Sequence, residues 1–231
     1  MSSESQAWED ESKAWVERVR DTAGHPHDDA ITALLPPPLG LALDVGCGEG
    51  RLSRLLSSRG HDVLGIDRSE SLVGEAQRAD PAGRYQVGSI EALPVADGAA
   101  ALVVCVNVLP HVVELEAAAR ELTRVLAADG VLVVGLAHPL MLAGSFDRDA
   151  GTLTVSRYYD PQTETVQLGH AHVHHQHRTV EAYLHAFFAN GLVLTDLREV
   201  PEESGSVPRY LDLRFERRGL KRERPAGAGR S

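Results

Sequence analysis

Cysteine is scarce in this chain: Cys47 and Cys105 are the only two. Cys47 sits inside a glycine-rich turn and Cys105 inside an apolar run, a spacing that suits neither a metal set nor a redox pair. Both read as small buried thiols, and the expected setting is a reducing cytoplasm. No apolar run reaches membrane-spanning length, so no membrane partner is expected. Met1 to Asp10 is polar and acidic, unlike the apolar region of a secretory signal. No self-similarity occurs at a solenoid period. Base is outnumbered by acid, 23 Lys and Arg against 33 Asp and Glu, which leaves a formal net charge of −10. An acidic chain is a poor general binder of nucleic acid, so DNA and RNA are not expected partners. What is present is ordinary for a globular protein: 43% hydrophobic and 24% charged residues over 231 positions. That suffices for one α/β domain with a large core.

The stretch Leu41 to Gly50 reads Leu-Ala-Leu-Asp-Val-Gly-Cys-Gly-Glu-Gly, followed at once by the amphipathic pattern Arg51 to Leu56. A short apolar run, three glycines at alternate positions and a helix start make a strand, a tight turn and a helix. Glycine is needed where the backbone takes positive φ or lies flat against a ligand. The helix start adds unpaired N–H groups and a partial positive charge. The unit is shaped to hold part of a nucleotide-like cofactor. A dinucleotide fingerprint would read Gly-x-Gly-x-x-Gly. The spacing here is Gly-x-Gly-x-Gly, which disfavours a nicotinamide oxidoreductase.

A second apolar run, Asp62 to Asp67, ends in an acid about 17 residues after Gly50. A carboxylate at that strand tip can accept two hydrogen bonds from a ribose diol. The alternative is a helix cap, since Arg68-Ser69-Glu70 follows. Next come Gln86-Val87-Gly88-Ser89-Ile90-Glu91, then a β-branched strand from Ala101 to Val106, then a helix, turn and strand over Ala119 to Val134.

Together these segments resemble the class I S-adenosylmethionine (SAM)-dependent methyltransferases, and among them the small-molecule type 11 enzymes. The likeness is close over residues 25–137 and loose over 138–216. It implies a Rossmann-like, doubly wound α/β fold, a seven-stranded sheet with helices on both faces. The implied cofactor is SAM, with S-adenosylhomocysteine as product. Its binding set is Asp44, Gly46, Gly48, Gly50, Asp67, Arg68, Ser89, Ile90 and Val106. Ser89 stands where the family usually has Asp, and Ala100-Ala101 where it usually has Phe-Asp.

The strand–helix alternation breaks at Ala137-His138-Pro139. A β-hairpin insertion is expected after the fifth strand, with one arm at Thr152–Tyr159, a turn at Asp160–Thr163 and the other arm at Glu164–His177. Thr179 is positioned to cap a helix from Val180 to Ala189, and strands near Leu192–Glu199 and Tyr210–Glu216 would complete the sheet as an antiparallel pair. One domain over residues 1–216 is expected, with an N-terminal helical segment (1–38) acting as a lid or packing on the sheet. The segment 138–178 would cover the substrate. Residues 217–231, basic and without apolar periodicity, read as a disordered tail.

Ligands of open α/β sheets bind beyond the carboxyl ends of the strands. Asn107, His111 and His138 follow the fourth and fifth strands and are the first candidates for contact with substrate or for catalysis. Of the 11 histidines, four crowd into His172 to His177. In an extended arm, His175 and His177 share one face and His172 and His174 the other. Three readings stand: a solvated strand, convergence on a metal ion, or a general base. No carboxylate partner for a metal is evident, so no metal is assigned. A subset of small methyltransferases carries His-Pro, a Tyr-rich hairpin and His-Arg-Thr before a helix with Tyr. The counterparts are His138-Pro139, Tyr158-Tyr159, His177-Arg178-Thr179 and Tyr183. That likeness implies a small-molecule pocket, with His177, His138 and His175 as catalytic candidates and Asn107, His111, Tyr158, Arg178 and Trp15 as substrate contacts. The expected activity is methyl transfer to O, N or C of a small organic molecule, with specialised metabolism as the expected setting, by a monomer or homodimer. The alternative is a SAM-binding protein with non-methylating chemistry.

Overall fold

The apolar runs become strands of one sheet. In the computed structural model, which describes residues 16, 26–147, 149–168, 171–203 and 207–218, the parallel strands are β1 (Leu41–Val45), β2 (Asp62–Asp67), β3 (Arg84–Val87), β4 (Ala100–Val106) and β5 (Leu126–Ala137). Two long strands, β10 (Leu192–Pro201) and β11 (Pro208–Arg217), close the sheet in the order β10-β11-β5-β4-β1-β2-β3. β11 runs antiparallel to both neighbours, pairing Leu213 with Val134 and with Leu197. The expected seven-stranded, doubly wound sheet is therefore present. Interior strands β1 and β4 are buried along almost their whole length, because helices cover both faces of a parallel sheet.

The two faces have separate cores. On one, α4 (Leu115–Val125) and α6 (Val180–Phe188) contribute Leu122, Tyr183 and Phe187, packed with Phe215 of β11. On the other, α1 (Pro26–Leu34) and α2 (Arg51–Ser58) contribute Ile31, Leu34, Leu52 and Leu56. Between β2 and β3, α3 (Glu70–Ala79) is capped by Ser69, whose hydroxyl accepts the Leu72 N–H at 3.1 Å. Thr179 caps α6 as expected, accepting from Ala182 N–H at 3.1 Å.

The insertion differs from expectation. It holds two successive hairpins, not one. β6 (Gly144–Asp147) pairs with β7 (Thr152–Val155), and β8 (Gln162–Leu168) pairs with β9 (Ala171–His177), each antiparallel. The first hairpin closes because the Asp147 carboxylate accepts the N–H groups of Asp149 and Ala150, both at 3.0 Å, before Gly151 turns at φ 64°. That Asx-type turn lies upstream of the expected arm. Thr152–Val155 therefore pairs backwards in sequence. Asp160–Thr163 becomes the lead into β8, and the arm Glu164–His177 folds on itself. Alternation along β9 holds: His175 and His177 are buried while His174 is exposed.

Trp15 and most of the N-terminal segment, including Ser5–Arg20 apart from Val16, lie outside the described residues, as does the tail beyond residue 218. Within the segment 1–38, α1 is fastened to the sheet. Arg51 pairs with Asp28, Arg214 donates to the Leu34 carbonyl at 2.7 Å, and His27 Nε2 lies 2.6 Å from Asp212 Oδ1. His27 also stacks on Tyr210, with ring centroids 4.2 Å apart.

Asp212 is fully buried and its Oδ2 has no hydrogen-bond partner. Removing one partner of a buried pair leaves the other charge uncompensated, typically at about 3–5 kcal/mol. His27→Ala should therefore lower the urea midpoint by that equivalent, and replacing both His27 and Asp212 by Leu should recover part of the loss. A loss below about 1 kcal/mol in the single variant would show that the pair does not hold α1.

Candidate active site

The glycine turn is fixed from two sides. Gly46, Gly48 and Gly50 take φ of 78°, 56° and 81°, a region that favours glycine. At Gly46 space is also lacking: a Cβ there would meet Val108 Cγ2 at 2.1 Å. The N–H groups of Gly46 and Cys47 both donate to the Ile66 carbonyl, at 2.7 and 3.1 Å, which binds the turn to the tip of β2. Gly50 is the N-cap of α2 and packs against Tyr85, behind the turn rather than in front of it.

Asp67 completes this corner. Its carboxylate accepts the Gly48 N–H and the Ser69 N–H, each at 2.9 Å. Burial raises its pKa, opposed by those two bonds and by neighbouring Arg68. The helix cap is Ser69, so Asp67 is not the cap of α3. Asp44, one strand over and almost fully buried, accepts the Ser53 hydroxyl at 2.6 Å. Burial pushes its pKa up to about 7, opposed by the Ser53 bond and reinforced by Glu49 and Asp67.

A cleft of about 690 Å³, its mouth included, opens over the ends of β1, β2 and β4. Of the expected cofactor residues, Gly46, Gly48, Asp67, Arg68, Ile90 and Val106 line it. Asp44 and Gly50 support it from beneath and behind. Ser89 departs from expectation: its hydroxyl donates to the Glu91 carboxylate and accepts the Glu91 N–H at 3.3 Å. An acid thus stands two residues downstream of the place where the family has one.

The segment after β4 forms the other wall, with Asn107, Val108, His111 and Val112. Asn107 takes φ 58°, rare outside glycine, while its N–H donates to the Gly135 carbonyl at 2.8 Å. Its Oδ1 is buried without a hydrogen-bond partner. Val108 and Val112 were not singled out by sequence. The signal was their position directly after a buried strand, at the sheet edge where ligands bind.

The histidines separate by geometry. His138 turns away from the cleft: its Nδ1 accepts the Leu140 N–H at 3.2 Å as the cap of α5 (Pro139–Leu142), and its Nε2 reaches Glu199 at 3.2 Å. Both ring nitrogens are engaged, so the expectation of a catalytic His138 gives way to a capping role. His177 Nε2 donates to the Tyr158 carbonyl at 2.8 Å, at the junction of β9 and α6. Tyr158 in turn accepts the Val180 N–H at 3.0 Å through its hydroxyl. Neither His177 nor Tyr158 lines the cleft. Arg178, expected among the substrate contacts, is engaged by the backbone instead. Its guanidinium donates to the carbonyls of Leu109, Val112 and Val113, at 3.2, 2.6 and 2.7 Å. It clamps the wall that carries His111.

His111 is the histidine in the cleft wall. Its Nδ1 lies 3.0 Å from the His174 carbonyl, and its ring stacks on His175 with centroids 5.2 Å apart. His175 is buried behind it with Nε2 unpartnered. Burial first, then the neighbouring His111, His177 and Arg178, lowers the His175 pKa to about 4. Among the described residues no three His, Cys, Asp or Glu side chains converge as a metal set.

Comparison with known proteins places this geometry. Residues 43–134 match the family model described as a methyltransferase domain. Over these residues, less than half of its length, the chain is similar to a methyltransferase domain. A malonyl-[acyl-carrier protein] O-methyltransferase of Enterobacter lignolyticus is 36% identical over 105 residues, 45% of this chain and 42% of that protein. A ubiquinone biosynthesis O-methyltransferase of Psychrobacter arcticus is 37% identical over 107 residues, 42% of each. The chain thus spans under half the length of these curated relatives. Among solved structures, a SAM-dependent methyltransferase of Mesorhizobium loti matches with a TM-score of 0.75 at 24% identity, covering 84% of this chain and 99% of that one. The fold is that of the SAM-dependent methyltransferases, and SAM is their cofactor.

The residues of this cleft fit SAM. The orphaned Asn107 Oδ1 is an acceptor suited to an ammonium group, and Asp67 is an acceptor suited to a ribose diol. The space a Cβ would fill at Gly46 lies against Val108 at the cleft floor. Asp44 gives a pH signature. Its native pKa of about 7 exceeds the ordinary value of 3.8, so the folded state holds more protons than the unfolded one between those limits. Stability must then fall as pH rises through that window, by roughly 4 kcal/mol at most. Urea titrations of the cofactor-free protein from pH 4 to 8 should show this contribution, and Asp44→Asn should remove it. An unchanged profile in Asp44→Asn would place the proton elsewhere.

Proposed function

We propose that the chain transfers a methyl group from SAM to a small organic molecule, as a monomer or homodimer and without a nucleic-acid partner. The observation that carries this reading is the coincidence, in one cleft, of a glycine turn closed by Asp67 and a second wall of apolar side chains with one histidine. The first half suits a nucleoside and the second a small acceptor. When bound, the cofactor supplies a sulfonium-activated methyl carbon. The chain's own residues need only orient an acceptor, exclude water and manage one proton. Alignment of this kind contributes about 7–11 kcal/mol in favourable cases.

Small substrates are named for several relatives. Besides ubiquinone biosynthesis, a Synechocystis relative is a 2-methyl-6-phytyl-1,4-hydroquinone methyltransferase, 37% identical over 102 residues. A structural neighbour from Burkholderia thailandensis, with a TM-score of 0.66, holds S-adenosylhomocysteine and 1,6-didemethyltoxoflavin. These support a small substrate, and a place in specialised metabolism forms part of the proposal. A cytoplasmic setting does too, supported by two buried cysteines that form no disulfide. Among the described residues no helix is long and apolar enough to cross a membrane.

The insertion belongs to the same reading. β9 sets the His174 carbonyl and the His175 ring against His111 from behind, and Arg178 pins that wall in place. Residues 138–178 buttress that wall from behind through His111 and its loop, and among the described residues none of them lines the cleft itself.

Calorimetric titration with SAM, S-adenosylhomocysteine and NADH tests the cofactor. Micromolar binding of the two sulfur compounds and none of NADH is expected. Asp67→Ala removes a charged hydrogen-bond acceptor, a contribution of about 1.5–3 kcal/mol, so SAM affinity should drop about 10- to 100-fold. NADH binding, or an unchanged SAM affinity in the variant, would refute the assignment.

A further inference from the structure

We propose that Asp44 reads the charge on the sulfur of the bound cofactor. It gives up its proton when the sulfonium form enters, keeps it when the thioether product is held, and so makes the cleft prefer cofactor to product. The inference rests on the SAM reading above and adds a specificity-determining residue to that same site.

Geometry singles out Asp44 among the acids of this corner. Asp67 accepts two backbone N–H groups and stands beside Arg68. Glu49 pairs with Arg54 at 3.9 Å, and Asp28 of α1 pairs with Arg51 of α2. Asp44 is 1% exposed. Among the described residues its carboxylate receives one hydrogen bond, from the Ser53 hydroxyl of α2 at 2.6 Å, and no ion pair. A buried carboxylate without a cation favours its neutral form. The groups around it keep that sign. Glu49 in the turn and Asp67 at the tip of β2 reinforce the effect of burial, and Arg51 opposes them more weakly. The thiols of Cys47, in the turn, and Cys105, in β4, are pushed up by burial and stay uncharged. Asp44 does not line the cleft, but Val45 and Gly46, the next two residues, do. It therefore meets a ligand through its field, which a low-dielectric interior screens weakly.

Cofactor and product differ by one charge. SAM carries a sulfonium, an ammonium and a carboxylate, and is a net cation. S-adenosylhomocysteine keeps the ammonium and the carboxylate and is net neutral. The two present the same adenosine and the same amino-acid end, so Asp67 and Asn107 have no means of telling them apart. An ionised Asp44 has. The Asp44 O–H bond breaks when the cation binds, and its proton passes to solvent. Once the methyl has left without its bonding pair, the sulfur is neutral, and Asp44 recovers a proton from solvent. The product then lies over an uncharged floor. The sign of the pH dependence follows. The Asp44 pKa of the cofactor-free protein, pushed up to about 7, falls when a cation binds. SAM affinity must then rise with pH toward 7 and level off above it, whereas affinity for the product changes little.

Calorimetry of the full chain at pH 6.5, in two buffers of different ionisation enthalpy, counts the protons and needs no turnover. That pH lies below the ordinary α-amino pKa of about 7.7–8.0, so both ligands enter as ammonium forms. SAM should release roughly half a proton on binding, and S-adenosylhomocysteine far less. Asp44→Asn, which keeps an acceptor for Ser53, should abolish that difference and cut the ratio of SAM to S-adenosylhomocysteine affinity roughly tenfold. Ser53→Ala keeps the carboxylate but removes a bond to its ionised form, so it should raise the pH at which proton release fades. Equal release with both compounds, no release with either, or a difference that survives in Asp44→Asn would each overturn the proposal. Should Asp44→Asn fail to fold, an unmoved pH window in Ser53→Ala would overturn it as well. Binding of neither compound by the unmutated protein would instead remove the SAM reading beneath it.

Discussion

The Asp67 carboxylate organises the cofactor half of this fold. It accepts one N–H from the glycine turn after β1 and one from the start of α3 after β2. Two chain reversals that would otherwise be independent are therefore set against each other. A buried carboxylate is costly unless its lone pairs are satisfied, and the two backbone donors meet part of that need. The geometry of the turn then follows. Gly48 must offer its N–H to Asp67 while Gly46 lies flat against Val108, and only positive φ achieves both. The corner is fixed by backbone donors, which do not change rotamer, so the cleft floor is preformed.

A second constraint shapes the acceptor half. The loop after β4 has no regular structure beyond one turn of 3₁₀ helix at Leu109–His111. Left alone, its carbonyls would be satisfied by water and its side chains would wander. Arg178 gathers three of those carbonyls with one guanidinium, whose planar fork suits several acceptors at once. Arg178 lies at the end of β9, so the same contact docks the insertion on the domain. The His174 carbonyl and the His175 ring arrive at His111 as a consequence. Sequence separations of 63 to 69 residues are bridged at this point.

What the sequence made legible was the part governed by local periodicity and turn chemistry. Alternating glycines, two acid-tipped strands and the Thr179 cap all act within a few residues, and each stands where pattern put it. The insertion was misread because its pairing is decided by an Asx turn at Asp147, and a later stretch, Asp160–Thr163, looked the stronger turn. The histidine roles were illegible for another reason. His138, His175 and His177 are side chains of the expected type near the expected edge. His138 is held by the local Leu140 cap and by Glu199, His177 by the Tyr158 carbonyl, and His175 by stacking on His111, and all but the first of these are set by tertiary structure. Arg178 shows the same limit: the resemblance made it a substrate contact, whereas the fold gave it backbone carbonyls.

The electrostatics of the cleft bind these halves together. Asp44, Asp67 and Glu49 crowd one side, and burial raises the pKa of the first two. Such a cluster disfavours its own ionised form until a positive charge arrives. A sulfonium cofactor with an ammonium group is positive, so its binding and the ionisation of these acids reinforce each other. The acceptor side is built the other way. His111 and His175 are held neutral by burial, and the nearest guanidinium is wrapped in carbonyl dipoles. An uncharged group can enter such a wall without leaving an uncompensated charge. The two walls of one cleft thus treat charge in opposite ways, one suited to a cation and the other to an uncharged group.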